Sequence, residues 1–241
     1  MRRAVCLSLL LILLLCGCSQ PRPVLIVAAF PSEVEPLLPY LTDSSEIPLS
    51  SGTALTGTLG GQYVAIVTTG AGMVNAAAAT QRGIDALNPS HIFMVGVAGA
   101  LDSTLDLGTV VIPWGWVNHQ AGKIEAGGFI PVATPYPTDP VLLAIAQTLP
   151  NIQVGGLGLS GDVFIDDAAA RNNLYTRTGA STVDMESAAI AQVSIQNNIP
   201  FLILRAVSDR AGGEAQGEIT VSFATAAQAA CDALRDIITK L

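Results

Sequence analysis

Three short apolar runs constrain this chain more than anything else in it: Val24-Leu-Ile-Val-Ala-Ala29, His91 to Val97, and Phe201 to Val207. Each is about one strand long and carries almost no polar alternation. A strand of that kind has to be covered on both faces, which is the situation inside a parallel sheet. Between them lie segments of helical character. Pro31-Ser32-Glu33 opens one that runs to about Leu41, and others cover about Asn75 to Leu87, Pro140 to Leu149, Ala168 to Tyr175 and about Phe223 to Lys240. Ala54 to Leu59 and Tyr63 to Thr68 flank Gly60-Gly61 and predict a hairpin. Thr109 to Val117 and Val154 to Leu159 predict further strands, and Ala98-Gly99-Ala100 predicts a tight turn. Alternating strands and helices with one hairpin give a single α/β domain with a central mixed, largely parallel sheet flanked by helices.

The first residues stand apart from that pattern. Met1-Arg2-Arg3 is basic, Ala4 to Leu15 is apolar but short, and Leu15-Cys16-Gly17-Cys18 closes the run with small residues. This is the layout of a secretory signal. The end of the run resembles a bacterial lipobox, which implies cleavage before Cys18 and lipid on that cysteine; Cys16 is the other candidate, and Gly17 favours Cys18. Ser19-Gln-Pro-Arg-Pro23 is polar enough to serve as a tether. The expected organisation is therefore a signal over residues 1–17, a tether over 18–23 and one folded domain over 24–241. The protein is expected to be exported and lipid-anchored to a bacterial membrane, periplasmic or at the cell surface, since lipidation supplies stable anchoring. Removing residues 1–17 takes two arginines and no acids, and leaves 9 basic against 19 acidic residues, a net −10. That charge argues against nucleic acid as a partner. Cys231 is then the one cysteine inside the domain, so no internal disulfide is expected.

Sites in such sheets gather at the carboxyl ends of the strands. Those ends carry Phe30 and Glu33; Thr69-Gly-Ala-Gly72; Val97 to Ala100; Asp162, Phe164 and Ile165; and Ser208 with Asp209. Thr182-Val-Asp-Met-Glu-Ser-Ala-Ala-Ile-Ala-Gln192 predicts a helix over about 183–197 with Glu186 in its first turn. It leads to a strand ending in Ser208-Asp209. Two carboxylates on rigid elements suit a site that holds a sugar and protonates a group attached to it. No cysteine–histidine cluster, Gly-x-Ser-x-Gly elbow, complete dinucleotide loop or Walker lysine is present, so neither metal nor cofactor is expected.

In this order along residues 24–241, seven segments resemble the nucleoside phosphorylase/nucleosidase superfamily, and most closely its methylthioadenosine/S-adenosylhomocysteine nucleosidases. They are Ala28-Ala-Phe-Pro-Ser-Glu-Val34, Thr69 to Ala77, Val95-Gly-Val-Ala-Gly-Ala-Leu101, Leu107 to Val111, Ser160-Gly-Asp-Val-Phe-Ile165, Val183 to Ile190 and Arg205-Ala-Val-Ser-Asp209. The resemblance implies a nucleoside phosphorylase-like fold and hydrolysis of the N-glycosidic bond of a purine nucleoside. It implies Asp209 as the acid that protonates purine N7 and Glu33 as the group that orients and deprotonates water. It further implies Glu186 on the ribose hydroxyls with Met185 against the sugar, Phe164 stacked on the base, and the backbone of Ile165 at the base edge. Val97 stands where the nucleosidases have a serine near the sugar, and Ser208 accompanies Asp209. A homodimer is also implied.

Each acid has an ordinary role open to it as well. Asp209 suits a turn cap, Glu186 a helix amino end and Glu33 an exposed first turn. Two other functions compete. One is a nucleoside-binding lipoprotein with little turnover. The other is a phosphorylase, against which the resemblance speaks, because phosphate-using members carry arginines where this chain has Phe30-Pro31-Ser32-Glu33. Arg205 is expected to be structural, paired with a nearby acid, and the glycine-rich, polar stretch Arg210 to Glu218 suits a mobile flap beside a site and equally an ordinary surface loop.

Overall fold

The computed structural model describes residues 21–126, 128–131 and 134–241. The signal-like segment and Cys18 lie outside them. The strands, in chain order, are β1 (Val24–Ala28), β2 (Thr42–Pro48), β3 (Thr53–Leu59), β4 (Gln62–Thr68), β5 (His91–Ala100), β6 (Val110–Ile112), β7 (Gly115–Asn118), β8 (Gly122–Glu125), β9 (Gly128–Pro131), β10 (Tyr136–Pro137), β11 (Ile152–Val154), β12 (Leu157–Ser160), β13 (Thr182–Asp184) and β14 (Phe201–Asp209). The helices are α1 (Pro31–Val34), continued by a 3₁₀ turn over Glu35–Tyr40, α2 (Met73–Leu87), α3 (Pro140–Ala146), α4 (Ala168–Thr178), α5 (Ser187–Gln196) and α6 (Ala215–Ile238).

Twelve of the strands form one mixed sheet, and β8 pairs with β9 as a separate hairpin. The pairs β1–β4, β1–β5, β5–β14, β7–β12 and β12–β13 are parallel, while the β3–β4 hairpin and the outer β2 are antiparallel. The long apolar runs β1, β5 and β14 lie side by side and are buried throughout or nearly so. One face packs against α1, α3 and α6 through residues such as Val34, Leu142, Ala230 and Leu234. The other packs against α2 and α5 through Ala76, Ala79, Ala188 and Ile190. Alanines at these contacts let the helix backbones lie close to the sheet.

β5 organises the sheet. Along one edge it pairs with β14 from Ile92 to Gly99. Along the other it pairs first with β1, as far as Met94, and then with β13, from Gly99. Among the described residues, no strand pairs with the residues between on that side.

Five local expectations are corrected. Ala98-Gly99-Ala100 is no turn: it continues β5, because β14 and β13 supply pairing up to its end. Thr109–Val117 divides into β6 and β7 at Pro113, which has no N–H for a ladder, and 154–159 divides into β11 and β12 at Gly155-Gly156, both at positive φ. The segment 183–197 starts as a strand, so Glu186 is the N-cap of α5, not a first-turn residue. Residues 210–218 contain the start of α6, eight residues earlier than the apolar periodicity begins. At the amino end, Arg22 donates to the carbonyls of Asn88 (2.8 Å) and Pro89 (2.6 Å), so the packed body begins inside the expected tether.

Candidate active site

Two irregularities of β5 and its neighbours position the acids. The β14–β5 register slips between Val207 and Asp209, which makes Ser208 the extra residue of a bulge. Successive residues of a regular strand point to opposite faces, and a bulge relaxes that rule. Ser208 and Asp209 are accordingly both buried. The Ser208 hydroxyl donates to Asp209 Oδ2 at 2.9 Å, and the Ala211 N–H donates to Oδ1 at 2.9 Å. Ala211 reaches that position at φ +49°, a conformation that costs a residue with a Cβ and that its burial holds in place. Burial raises the Asp209 carboxyl above its ordinary range against these two hydrogen bonds, and the charges of Glu218 and Asp166 add to the rise. Asp209 is thus suited to carry a proton.

Glu33 occupies the gap on the other edge of β5. It is 2% exposed. Its Oε2 accepts the N–H groups of Ala29 (2.8 Å) and Phe30 (3.0 Å), which fixes the short helix α1 on the end of β1. Its Oε1 accepts the Val97 N–H at 2.9 Å, in the stretch of β5 that no strand pairs. From α6, Cys231 Sγ donates to the Glu33 carbonyl at 3.0 Å. Burial raises this carboxyl as well, against the nearby Arg205 and the three N–H groups.

Glu186 takes the N–H of Gly72 at 2.9 Å on Oε1, tying the Gly70-Ala-Gly72 turn to the start of α5. Asp162 holds the same turn from the other side through the Met73 N–H at 2.7 Å. Burial lifts the Glu186 carboxyl to about 7 against the pull of Arg205, with Asp184 and Glu33 adding to the lift.

Arg205 connects these groups. It is 1% exposed in the middle of β14. Its Nε lies 2.7 Å from Asp184, its Nη2 3.2 Å from Glu186 and its Nη1 3.5 Å from Glu33. Burial works against its charge, and the three carboxylates more than offset that. The expectation that Arg205 pairs with one acid is therefore widened: it faces three, two of them candidate site residues. A charged side chain inside an apolar strand needs partners, and that was the signal available in the sequence. Asp184, two residues before Glu186, was not singled out.

Phe164, Ile165, Met185, Asp184 and Asp209 line one small cavity of about 30 Å³ together with Gly99 and Ala211. Phe164 is 42% exposed. All the candidate residues of the domain, Val97 and Ser208 included, are thus brought to one end of the sheet; Cys18 lies outside the described residues. Chemically, the arrangement offers a buried carboxyl suited to carry a proton beside an aromatic side chain and, separately, three carboxylates around a buried guanidinium. Among the described residues no group of three or more acids, histidines or cysteines has the makings of a metal site.

The sequence profile of the phosphorylase superfamily matches residues 23–241. The 5'-methylthioadenosine/S-adenosylhomocysteine nucleosidase of Staphylococcus carnosus is 35% identical over 225 residues, spanning 90% of this chain and 99% of that protein. The crystal structure of the Neisseria meningitidis nucleosidase of that name, in complex with methylthio-immucillin-A, superposes with a TM-score of 0.84 at 28% identity, covering 91% of this chain and all of that one. The futalosine hydrolase of Helicobacter pylori gives the same TM-score of 0.84 at 27% identity, covering 91% of this chain and 98% of that one.

Proposed function

The chain belongs to the phosphorylase superfamily, and from that premise we propose that it is a purine nucleosidase, with Asp209 as the acid, Glu33 as the base to water and Glu186 on the ribose. Breaking an N-glycosidic bond leaves the bonding electron pair on the base and positive charge on the sugar. Asp209 gives its proton to the departing purine at N7, stacked on Phe164 and read at its edge by the backbone of Ile165. Glu186 accepts hydrogen bonds from the ribose hydroxyls, and Met185 packs against the sugar. Glu33 takes one proton from water as its oxygen bonds to the anomeric carbon. The products are the free purine and the free sugar, and the two carboxyls regain their starting states by exchanging protons with solvent. Each of the two proton transfers contributes typically ~10²–10⁴-fold.

The observation that carries this reading is the separation of the acids. Asp209 is held by a hydroxyl and an N–H, with no cation bonded to it among the described residues, whereas Glu33 and Glu186 share Arg205. Burial raises all three carboxyls, but Arg205 pulls Glu33 and Glu186 back towards the charged form, and Asp209 has only its two hydrogen bonds to oppose the rise. Water, not phosphate, is the acceptor: Arg205 is engaged by three carboxylates, and Glu33 itself repels an anion.

The substrate we propose is a 5′-substituted adenosine of the methylthioadenosine/S-adenosylhomocysteine kind. The equal structural likeness to a futalosine hydrolase makes the 5′ substituent the open variable. Base release by residues 19–241 is the test, with methylthioadenosine, S-adenosylhomocysteine, adenosine, inosine and futalosine, with and without phosphate. Phosphate-independent release, lost in Asp209→Asn, is expected. Release that requires phosphate, or binding without release from every substrate, overturns the reading.

We also propose export and lipid anchoring through Cys18, and pairing as a homodimer. The superfamily match begins at residue 23, which leaves the signal-like stretch outside it, and no described helix is long and apolar enough to cross a membrane. Palmitate labelling of the full chain, absent from Cys18→Ala, tests the anchor. A solution mass of one chain would refute the dimer.

A further inference from the structure

Asp184 is a buried carboxylate for which the proposed reaction has no use. It ends β13 with a side chain 2% exposed. Its Oδ1 accepts the Ser160 hydroxyl at 2.5 Å and the N–H groups of Glu186 and Ser187 at 3.2 Å each. Its Oδ2 accepts the Ser187 hydroxyl and faces Arg205 Nε at 2.7 Å. Ser160 in turn accepts the Ala188 N–H at 2.9 Å. One side chain thereby joins the end of β12, the first turn of α5 and the guanidinium of β14.

We propose that Asp184 is a positioning residue: it fixes the plane of the Arg205 guanidinium, and through it the carboxylates of Glu33 and Glu186. The inference rests on the reading of those two acids given above. A guanidinium is a rigid planar fork. Of its three carboxylate contacts, the shortest by half an ångström is the one to the acid without a reacting partner, against 3.2 Å to Glu186 and 3.5 Å to Glu33. Held at Nε by Asp184 and, at 3.1 Å, by the Ser187 oxygen, the plane cannot turn about its stem, so Nη1 and Nη2 stay aimed at the two working acids.

Asp184 also claims part of the one positive charge in the cluster. The groups that face this cluster are Glu33 from the β1–α1 junction, Glu186 from the cap of α5, Arg205 from β14 and His119 from the end of β7, whose ring senses the Asp184 charge. With Asp184 present, Glu186 retains its proton up to about pH 7, burial being the first cause and the Asp184 charge contributing. Removing that charge favours the ionised form of Glu186 and moves its titration to lower pH.

The experiment compares Asp184→Asn, Asp184→Glu and wild type in two readouts: the pH profile of kcat/KM for methylthioadenosine, and the titration of the Glu186 side-chain carboxyl by carbon NMR. In Asp184→Asn, kcat is expected to fall about 10²-fold through misplacement of the acids, and the Glu186 midpoint to drop by about one pH unit or more. Asp184→Glu retains the charge and should hold the midpoint at its wild-type value. A folded Asp184→Asn protein with an unmoved midpoint overturns the proposal. If Asp184→Asn does not fold, Ser160→Ala removes one hold on Oδ1 and alters no charge. It should lower kcat about 10-fold, and wild-type kcat in that variant also overturns the proposal. The catalytic reading fails separately: Glu33→Gln with undiminished kcat would sink it, while the NMR midpoint still tests the link from Asp184 through Arg205.

Discussion

Gly96→Ala puts the central cluster under direct load. Gly96 pairs with Arg205 across β5 and β14, with its α-carbon facing the Glu33–Arg205 contact. A methyl group there would stand 2.7 Å from Glu33 Cδ, and closer still to Glu33 Oε1 and Arg205 Nη1, where ordinary contact is 3.4–4 Å. Neither neighbour can give way freely. Glu33 is held by three backbone N–H groups, and Arg205 by Asp184. Overpacking alone costs about 1–3 kcal/mol. Driving Glu33 off Arg205 adds to that, since breaking a buried ion pair costs ~3–5 kcal/mol where it leaves a charge uncompensated. A total of several kcal/mol is a large part of a typical domain's stability. Because Glu33 is the group displaced, kcat of the folded fraction should fall ~10²–10⁴-fold. Gly57→Ala in β3 is the matched control: its methyl would meet Leu41 Cγ at 2.7 Å and the Thr42 carbonyl at 2.8 Å, among residues outside the candidate site. It should lower stability by the overpacking cost and leave kcat unchanged. Guanidinium unfolding and base release, measured on both, decide the matter. A folded Gly96→Ala enzyme with wild-type kcat would refute the argument that Glu33 must sit against Arg205.

Four other outcomes follow from the same geometry. The acid limb of kcat/KM should lie near pH 7, because Glu186 must lose its proton to accept the ribose hydroxyls and burial holds it at about 7; activity undiminished at pH 5.5 would exclude that role. Glu218→Gln removes a negative charge that favours protonated Asp209, so the alkaline limb should move to lower pH, whereas a limb that stays or rises contradicts the assignment of Asp209 as the acid. Phe164→Ala should raise KM ~5–150-fold if the base stacks there, stacking being worth ~1–3 kcal/mol; an unchanged KM would place the base elsewhere. Cys231, buried in α6 with its thiol pushed up to about 12 by burial first, should resist alkylation in native 19–241 protein and react on unfolding, as followed by mass spectrometry.

The sheet and most of the site were legible in the sequence because their signals are local. β1, β5 and β14 are continuous apolar runs, Glu33, Phe164 and Glu186 each follow a strand by a few residues, and Asp209 ends one. What could not be read depends on pairing. That β5 runs through Ala98-Gly99-Ala100 follows from β13 and β14 lying against it, not from small residues that suit a turn equally well. That α6 starts at Ala215 follows from tertiary holds on its first turns, the Ala215 N–H on Asp166 and Glu218 on the Arg210 N–H. The polar composition of 210–218 carries no trace of either. The proposed role of Asp184 is not legible in the sequence, because it lies in the contact with Arg205 and the sequence gives no distance between them.

β5 also sets the spacing of the chemistry. Val97, whose N–H holds Glu33, and Gly99, where an added methyl would meet Asp209 Oδ1 at 2.9 Å, are two residues apart on one strand. A carboxylate restrained by three N–H groups and a guanidinium is poorly placed to advance on a carbon atom, which fits the proposed role of Glu33 as a base to water and not as a nucleophile. The gap in β5 pairing and the bulge in β14 therefore do one job together: they seat the proposed proton acceptor and the proposed proton donor against one and the same strand.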